Sequence, residues 1–596
     1  MTQKVGHVRV IFCEAKNKED VDLFSDKASR LTKSKIKLQF DIYHKINSNV
    51  IPILAERMVM YLGVPRSVAM VYSRIGVTST LGLLLSRALR IQMLINEYNK
   101  KHLCIGSIRC SKVSAPSAAS DIDSYARNSF EFNQSVLMDL SFAFNIPLSK
   151  KIYPSKEFDL KQKNTIFTDF NFFYRLKNKT NSIISKMLPG NRIPTLSMAN
   201  MENMLQGEGF YLKYLTDITN LNQIKSNPFN LLIRKKIFNG LDGVMQKDVK
   251  QLFSTIGSAH DFTFLDRLPS LLEKYFPLSL IEGSLNYKIY FDRFASNRSK
   301  FLLSSSFGSD NDIYAIAAAK YSGMKLVNAQ HGGYYGYTEN ISPNEVEIPL
   351  SDIFLSWGWS GYDILNEKKI VALPNPWLSV RKKYWKKEDV KVQKEFDILF
   401  MSSKVTRFPP AIMTDTALTS DLAPKVFQLS KIYIESMFDN GARILHKPFN
   451  AAVMNIYPDL FDFQFNNTNG LYETTVKMGK GLSRVLVKKA TIVVWDNLGT
   501  GFLECISCGI PTIVLWSEYS DHTMESSSLF SELEKVGVIH REESSAIMET
   551  LQALKDIQYW MNNPKRKVAI SKFNNKFALT SDNWSKSWED FLNNVN

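Results

Sequence analysis

Residues 490–516 read ATIVVWDNLGTGFLECISCGIPTIVLW, and few folds accommodate that run. Ala490–Trp495 is apolar and β-branched, as expected of a buried parallel strand. Asp496, Asn497, Gly499 and Gly501 then suit a tight turn, residues 502–508 a short helix, and Gly509 its stop. Pro511 opens a second apolar run. Strand, glycine-bearing loop, helix and strand together form a βαβ unit, whose ligands bind beyond the carboxyl ends of the strands. Free N–H groups at a helix start favour an anion, so a phosphate is the expected guest. Glu504 lies one turn after Thr500 on the same helical face, within reach of a ribose hydroxyl. The same residues also fit a plain turn followed by a capped or solvated helix, and both readings stand at this point.

Similar units recur upstream. A strand over 301–307 leads through the polar cap Ser309-Asp310-Asn311-Asp312 into a helix over 313–321, closed by Gly323. The strand over 325–330 runs directly into His331-Gly332-Gly333-Tyr334-Tyr335-Gly336, where paired glycines admit a close backbone approach. Further strands are expected over 352–357 and 370–373. A charged stretch, 379–395, reads as a linker. Beyond it a strand over 396–401 ends in Ser402, Ser403, Lys404 and Arg407, and one over 442–445 ends in His446-Lys447-Pro448. The expected fold is α/β: two doubly wound, Rossmann-like domains facing a cleft, with a mainly helical N-terminal region and C-terminal helices. The expected divisions are 1–378 (its Rossmann-like core about 300–376), 396–560, and terminal helices over 561–596 that pack back on the first domain. Residues 151–290 suggest no role.

At 596 residues and 44% hydrophobic content the chain can bury several cores. Its formal charge of +16 favours anionic partners, but the basic residues form short, scattered patches with no nucleic-acid module. An anionic small substrate and a membrane-bound acceptor are expected, and no nucleic acid. Five cysteines are too few for a disulfide framework, and Cys505 and Cys508 read as small core residues on a helix. Asp121-Ile122-Asp123 and Asp310-Asn311-Asp312 resemble metal-binding DxD motifs. Both stand at helix entries, where capping is the expected role, and no metal site is expected. The apolar stretch 81–95 is short and interrupted by Arg87 and Arg90, so no membrane span is expected there and a cytoplasmic chain is.

The motifs QHGGYYG (330–336), DIFLSWGW (352–359) and NLGTGFLECISCGIPTIVLW (497–516) resemble those of bacterial transferases from surface-carbohydrate clusters. That group is related to the capsule Kdo transferases, includes pseudaminic-acid transferases and has the B-type glycosyltransferase (GT-B-like) fold. Glu131-Phe132-Asn133-Gln134 and Trp560 extend the resemblance over most of the chain, 151–290 excepted. The resemblance implies that the second domain grips an activated donor through Asn497, Gly499, Thr500, Gly501 and Glu504, with Ser402, Ser403, Lys404 and Arg407 on the facing strand end. His446-Lys447-Pro448 resembles the His-Pro element with which bacterial sialyltransferases hold CMP, and the inserted Lys447 departs from it. On the acceptor side the resemblance implies Gln330, Gly332 and Gly333, with His331 and Glu347 for the chemistry and Asp352 behind them.

The implied reaction moves a nonulosonic-type sugar (pseudaminic acid, a relative, or Kdo) from a CMP-sugar donor to a surface glycan, which can be lipid-linked. No cofactor is implied. The implied location is the cytoplasm, peripheral on the anionic inner membrane. Loop amides and Lys or Arg would stabilise the leaving phosphate. An inverting transfer would also need a base on the acceptor hydroxyl, whereas a retaining one would not. A CDP-alcohol polyol-phosphate transferase of teichoic-acid type, and a non-catalytic nucleotide- or glycan-binding protein, are the alternatives.

Overall fold

Among the described residues the strands pair in parallel, in three sheets. The computed structural model describes residues 8–11, 20–24, 29, 33–108, 115–153, 193–196, 215–217, 228–245, 263–295, 299–305, 307, 309–360, 369–387, 392–403, 408, 410–411, 423–449, 471–475, 482–516 and 522–595. The rear sheet has six strands in the spatial order Tyr472–Thr474, Ile444–Lys447, Phe396–Met401, Ala490–Trp495, Thr512–Leu515, Ile539–His540. Numbered along the chain this is 3-2-1-4-5-6, the Rossmann order. Its reversal point falls between Phe396–Met401 and Ala490–Trp495, the place beyond whose strand ends open α/β sheets bind their ligands. Helix Thr500–Cys508 ends on Gly509, whose φ of 73° lies in the left-handed region.

The front sheet is also six-stranded: Ile370–Ala372, Ile353–Ser356, Lys325–Ala329, Phe301–Ser304, Ile193–Thr195, Leu215–Asp217. Two of its strands come from the region that suggested no role. A third, four-stranded sheet at the front joins Asp20–Asp22, Val8–Ile11, Leu103–Ile108 and Leu148–Tyr153. The reading of a mainly helical front missed this sheet because its strands are short and one carries Lys150 and Lys151, which break the apolar pattern.

Beside that sheet stand two long helices, Lys33–Leu62 and Arg66–Tyr98. The second is long and apolar enough by composition to cross a membrane, but it is largely buried inside the fold. Arg87 and Arg90 are fully buried within it. Arg87 donates to the carbonyls of Pro410 (2.9 Å) and Ala126 (3.4 Å).

Helix Pro376–Lys386 takes up the first part of the segment expected as a linker and is started by Asn375, whose side chain accepts from Leu378 N–H at 3.0 Å. At the C-terminus, Trp584, Trp588 and Leu592 of helix Trp584–Val595 pack on Phe301, Leu303, Val327 and Leu355 of the front sheet. Gly358 (φ 120°) makes room for that tail: a Cβ there would lie 2.5 Å from the Asn575 carbonyl. One apolar cluster runs across both lobes, from Tyr337, Phe354 and Trp359 to Phe502, Phe573 and Phe577. Cys505 and Cys508 lie on the rear helix, and burial pushes their thiols up, that of Cys508 to about 12.

Both DxD look-alikes cap helices. Ser309 Oγ accepts from Asp312 N–H (3.3 Å), and Asp312 accepts from Ser309 N–H (3.0 Å). Asp121 accepts from Ala118 N–H at 3.0 Å, while Asp123 pairs with Arg127 and accepts from Ala411 N–H. Asp310 reaches across to Ala119 N–H at 3.0 Å. Burial dominates at Asp310 and raises its carboxyl from 3.8 to about 6. The folded chain then holds a proton that the unfolded chain loses first, so this group makes stability fall as pH rises from about 4 to 6. Asp310→Asn keeps the acceptor and removes the charge. It is expected to raise stability above pH 6 by up to about 3 kcal/mol, with the gain vanishing near pH 4 in denaturant titrations. Equal stability of both proteins at pH 7 would refute this account.

Candidate active site at the junction of the two sheets

Rear strand Phe396–Met401 delivers Ser402 and Ser403 to the crevice, and Ala490–Trp495 delivers Asp496 and Asn497 beside them. Asp496 is buried and organises the group: its carboxylate accepts from Ser403 Oγ (2.5 Å) and Ser403 N–H (3.0 Å). Burial raises this carboxyl, and the hydrogen bonds from Ser403 and Asn497 oppose the rise. The Asn497 amide donates to Ser403 Oγ at 2.9 Å, and its oxygen accepts from Gly499 N–H at 3.0 Å. Ser402 Oγ lies 2.5 Å from His446 Nε2, and Tyr472 OH 2.7 Å from His446 Nδ1. Fully buried, His446 is held to about 3 and stays neutral at physiological pH. Lys447, at the same strand end, is half-buried, and burial lowers its ammonium.

The front sheet meets this crevice through the HGGYYG turn. Gly333 N–H donates to Thr500 Oγ1 (2.9 Å), Tyr334 OH to Asn497 Oδ1 (3.2 Å) and Tyr337 OH to the Leu498 carbonyl (2.5 Å). A Cβ on Gly333 would lie 2.9 Å from Thr500 N, so only glycine permits this approach. Tyr334 holds a φ of 74°, an unusual conformation for a side chain of its size, and donates its own N–H to Tyr337 OH. The start of helix Thr500–Cys508 is therefore covered by the front turn, and the Thr500 hydroxyl is engaged across the junction.

On the front side His331 Nδ1 lies 2.9 Å from Tyr335 OH, which donates to Glu347 Oε2 at 2.8 Å. His331 Nδ1 and Glu347 Oε2 are 3.8 Å apart. Burial raises the Glu347 carboxyl, and His331 opposes the rise. The fully buried Asn328 amide lies near enough to oppose it too, yet makes no geometrically complete hydrogen bond. A base, a carboxylate and a bridging phenol are thus gathered beyond the end of strand Lys325–Ala329.

Several expected roles are corrected. Glu504 is fully buried and pairs with Arg381 Nε (2.6 Å) and Trp385 Nε1 (2.8 Å) of helix Pro376–Lys386. Sharing a helical face with Thr500 does not bring it to the crevice, because one turn deeper that face packs on another helix. Asp352 precedes strand Ile353–Ser356, at the end away from the turn, and accepts from Lys320 Nζ (2.5 Å) and Leu326 N–H (2.7 Å). Gln330 is buried and saturated. It donates to the Gly332 carbonyl (2.8 Å) and accepts from Trp357 N–H (3.0 Å) and Trp359 Nε1 (2.9 Å), tying the HGG turn to the SWGW segment. His446 braces strand ends from within the core.

Ser402, Ser403, Lys447, Asn497, Gly499, Thr500 and Gly501 do lie at or beside the crevice, with Gly332 and Gly333 across it; Lys404 and Arg407 lie outside the described residues. Gly501 admits Trp495, whose ring would be 2.2 Å from a Cβ. Sequence reasoning passed over Asp496, Tyr334 and Tyr335. The signal was present, since Asp496 directly follows the strand and both tyrosines stand in the glycine turn. Among the described residues no cluster of three or more His, Cys, Asp or Glu side chains is arranged to hold a metal ion. A cavity of about 750 Å³, lined by Trp385, Lys394, Lys488 and Cys508, opens at the opposite end of the rear strands, away from these groups.

No curated protein sequence matches the chain. Among solved structures it is similar to a glycosyltransferase from Rickettsia africae, with 11% identity, 68% of this chain and 99% of that one covered, and a TM-score of 0.37. A UDP-GlcNAc 2-epimerase from Methanocaldococcus jannaschii matches at 11% identity over 49% of this chain and 80% of that one, with a TM-score of 0.32. A variant O-GlcNAc transferase from Thermobaculum terrenum matches at 10% identity over 96% and 100%, with a TM-score of 0.31. The family described as LIC12162 family transferase matches residues 15–592, essentially the whole of the sequence, and the chain belongs to that family of transferases.

Proposed function

We propose that this transferase is a glycosyltransferase that moves a nonulosonic-type sugar, such as pseudaminic acid or Kdo, from a CMP-activated donor to a bacterial surface glycan. The reading rests on one observation: the reversal point of the rear sheet, with Ser402, Ser403, Asn497 and Lys447 at its strand ends, abuts the His331–Tyr335–Glu347 group. Side-chain donors at the rear strand ends suit a nucleotide phosphate, with Lys447 as the cation that neutralises it. On the front side a paired base and carboxylate suit an acceptor hydroxyl. The CMP-sugar enters as a substrate, and no cofactor forms part of the proposal. A lipid-linked acceptor would place the enzyme on the cytoplasmic face of the membrane, where its net positive charge favours an anionic leaflet.

The test is CMP release and product analysis with a panel of CMP-sugars. Lys447→Ala is expected to weaken CMP binding by about 10-fold or more, the scale of one lost charge-assisted contact, measured by calorimetry. A phosphodiester product from a CDP-alcohol would replace this reading with polyol-phosphate transfer. Binding without turnover on any donor would leave a non-catalytic protein.

A further inference from the structure

Helix Leu231–Phe238 turns one side into the core and the other to water, and the proposed reaction has so far given it no role. Asn230 starts it by accepting from Ile233 N–H at 3.1 Å. Arg234 pins it. Fully buried, it pairs with Glu282 through Nε and Nη2 (2.7 Å each) and donates to the carbonyls of Glu273 (2.7 Å) and Phe276 (2.9 Å). Ile237 and Phe238 are buried on the same side. The outward side is therefore fixed, and it presents Leu231 and Leu232 with Lys235 and Lys236 one turn behind them. Beside it ends helix Lys33–Leu62, whose Arg57 donates to the Ile237 carbonyl at 3.0 Å and whose Tyr61 ring centroid lies 5.8 Å from Lys236 Nζ. Met60, next to Tyr61, is 72% exposed, and Leu232 is 75% exposed.

We propose that this face docks the protein on an anionic lipid bilayer. Its purpose rests on the glycosyltransferase reading, in which the acceptor is lipid-linked; the surface itself stands on geometry.

Met60, Tyr61, Leu231 and Leu232 are exposed to water together, a cost that an acyl layer removes. Lys235 and Lys236 stand among them on long apolar stems, so their ammonium groups reach lipid phosphates while the leucines enter the acyl boundary. Charge favours the same occupant. Helix Leu231–Phe238 contains Arg234, Lys235 and Lys236 and no acid. Of the carboxylates nearby, Glu282 is taken by Arg234, and Glu56 by Arg66 at 3.6 Å. Glu273, which senses Lys235, and the exposed Asp242 beyond the helix offset part of the charge. The position suits the purpose as well. Helix Lys33–Leu62 touches the loop before Glu347, where Asn47 donates to Glu345 Oε2 at 3.3 Å, and rises about 20 Å from there to Met60. One helix thus joins the docking face to the acceptor side of the site.

The test is co-sedimentation of the full chain with vesicles, one set of phosphatidylcholine alone and one of phosphatidylglycerol and phosphatidylcholine in equal parts. The protein is expected to bind the mixed vesicles, and phosphatidylcholine alone about 10-fold or more weakly. Lys235→Gln with Lys236→Gln should weaken mixed-vesicle binding by about 10-fold or more, since each cation near such a surface contributes about 5-fold. That difference should shrink in high salt. Met60→Ser with Leu232→Ser should weaken binding by about 10-fold or more at any salt. All four side chains are exposed, so the urea midpoints should match that of the wild type, which separates docking from folding. No binding to the mixed vesicles, or double variants that bind as the wild type does, overturns the proposal. So does a concentration-dependent dimer that Met60→Ser with Leu232→Ser dissolves, because the face then belongs to a second copy. No sugar donor enters these measurements, so vesicle binding without turnover on any CMP-sugar would sink the donor reading and leave the docking face standing.

Discussion

Glu347→Gln is expected to lower kcat by about 10²–10⁴-fold, the range over which a positioned acid–base group contributes, while CMP binding stays within about 2-fold of wild type. The substitution preserves shape and an acceptor for Tyr335, but it removes the charge that steadies a protonated His331 3.8 Å away. Glu347 reaches the site because the helix that it opens, Glu347–Leu350, packs against the 325–329 strand. Burial has raised its carboxyl, so the ionised form is reached at a higher pH than for an exposed glutamate. Activity should therefore be present above that elevated value and fade as acid protonates the group. In Glu347→Gln the acid limb due to this group should be missing from the pH profile. Turnover within about 3-fold of wild type across that profile would remove Glu347 from the chemistry.

Glu504→Ala should cost stability first. Its carboxylate is inaccessible and answers Arg381, whose side chain is 14% exposed, so truncation strands a guanidinium in a mostly buried site. Removing one partner of such a pair costs on the order of 3–5 kcal/mol. Arg381 also donates to the Leu482 carbonyl at 2.6 Å and lies over the Tyr384 and Trp385 rings, so it cannot swing out without losing those contacts. Trp385 Nε1 loses its acceptor as well. The pair joins the helix between the lobes to the rear helix behind the glycine loop, and urea unfolding should show the loss as a lowered midpoint. CMP affinity, measured below that midpoint, should change much less. Unchanged stability with CMP binding down about 10-fold or more would return Glu504 to the ribose.

Those two glutamates show how far local reasoning reaches. Glu347 comes from the family resemblance, as an acidic residue of the loop after the glycine turn, and chain connectivity keeps such a residue near the strand end. Glu504 was placed by helical periodicity, which reports the residues sharing a face but is silent about what that face meets. Gln330 and Asp352 belong with Glu504. Gln330 adjoins His331, yet its amide is consumed by Trp357 and Trp359; Asp352 adjoins a strand, but at its starting end. Asp496 was visible only as a turn residue, because its bond to Ser403 joins positions 93 apart in the chain.

From its residues alone this chain determined the rear βαβ unit, the strand that ends at the HGGYYG turn and the caps before its helices. Each depends on apolar period, glycine placement or a capping hydroxyl within a few positions. The tertiary structure alone decided that the glycine loop is covered by the front turn, that His446 is neutral, and that Glu504 braces a helix. Protonation, accessibility and pairing depend on how far water is excluded and which distant group fills the space. Neither is set until strands far apart in the chain lie side by side.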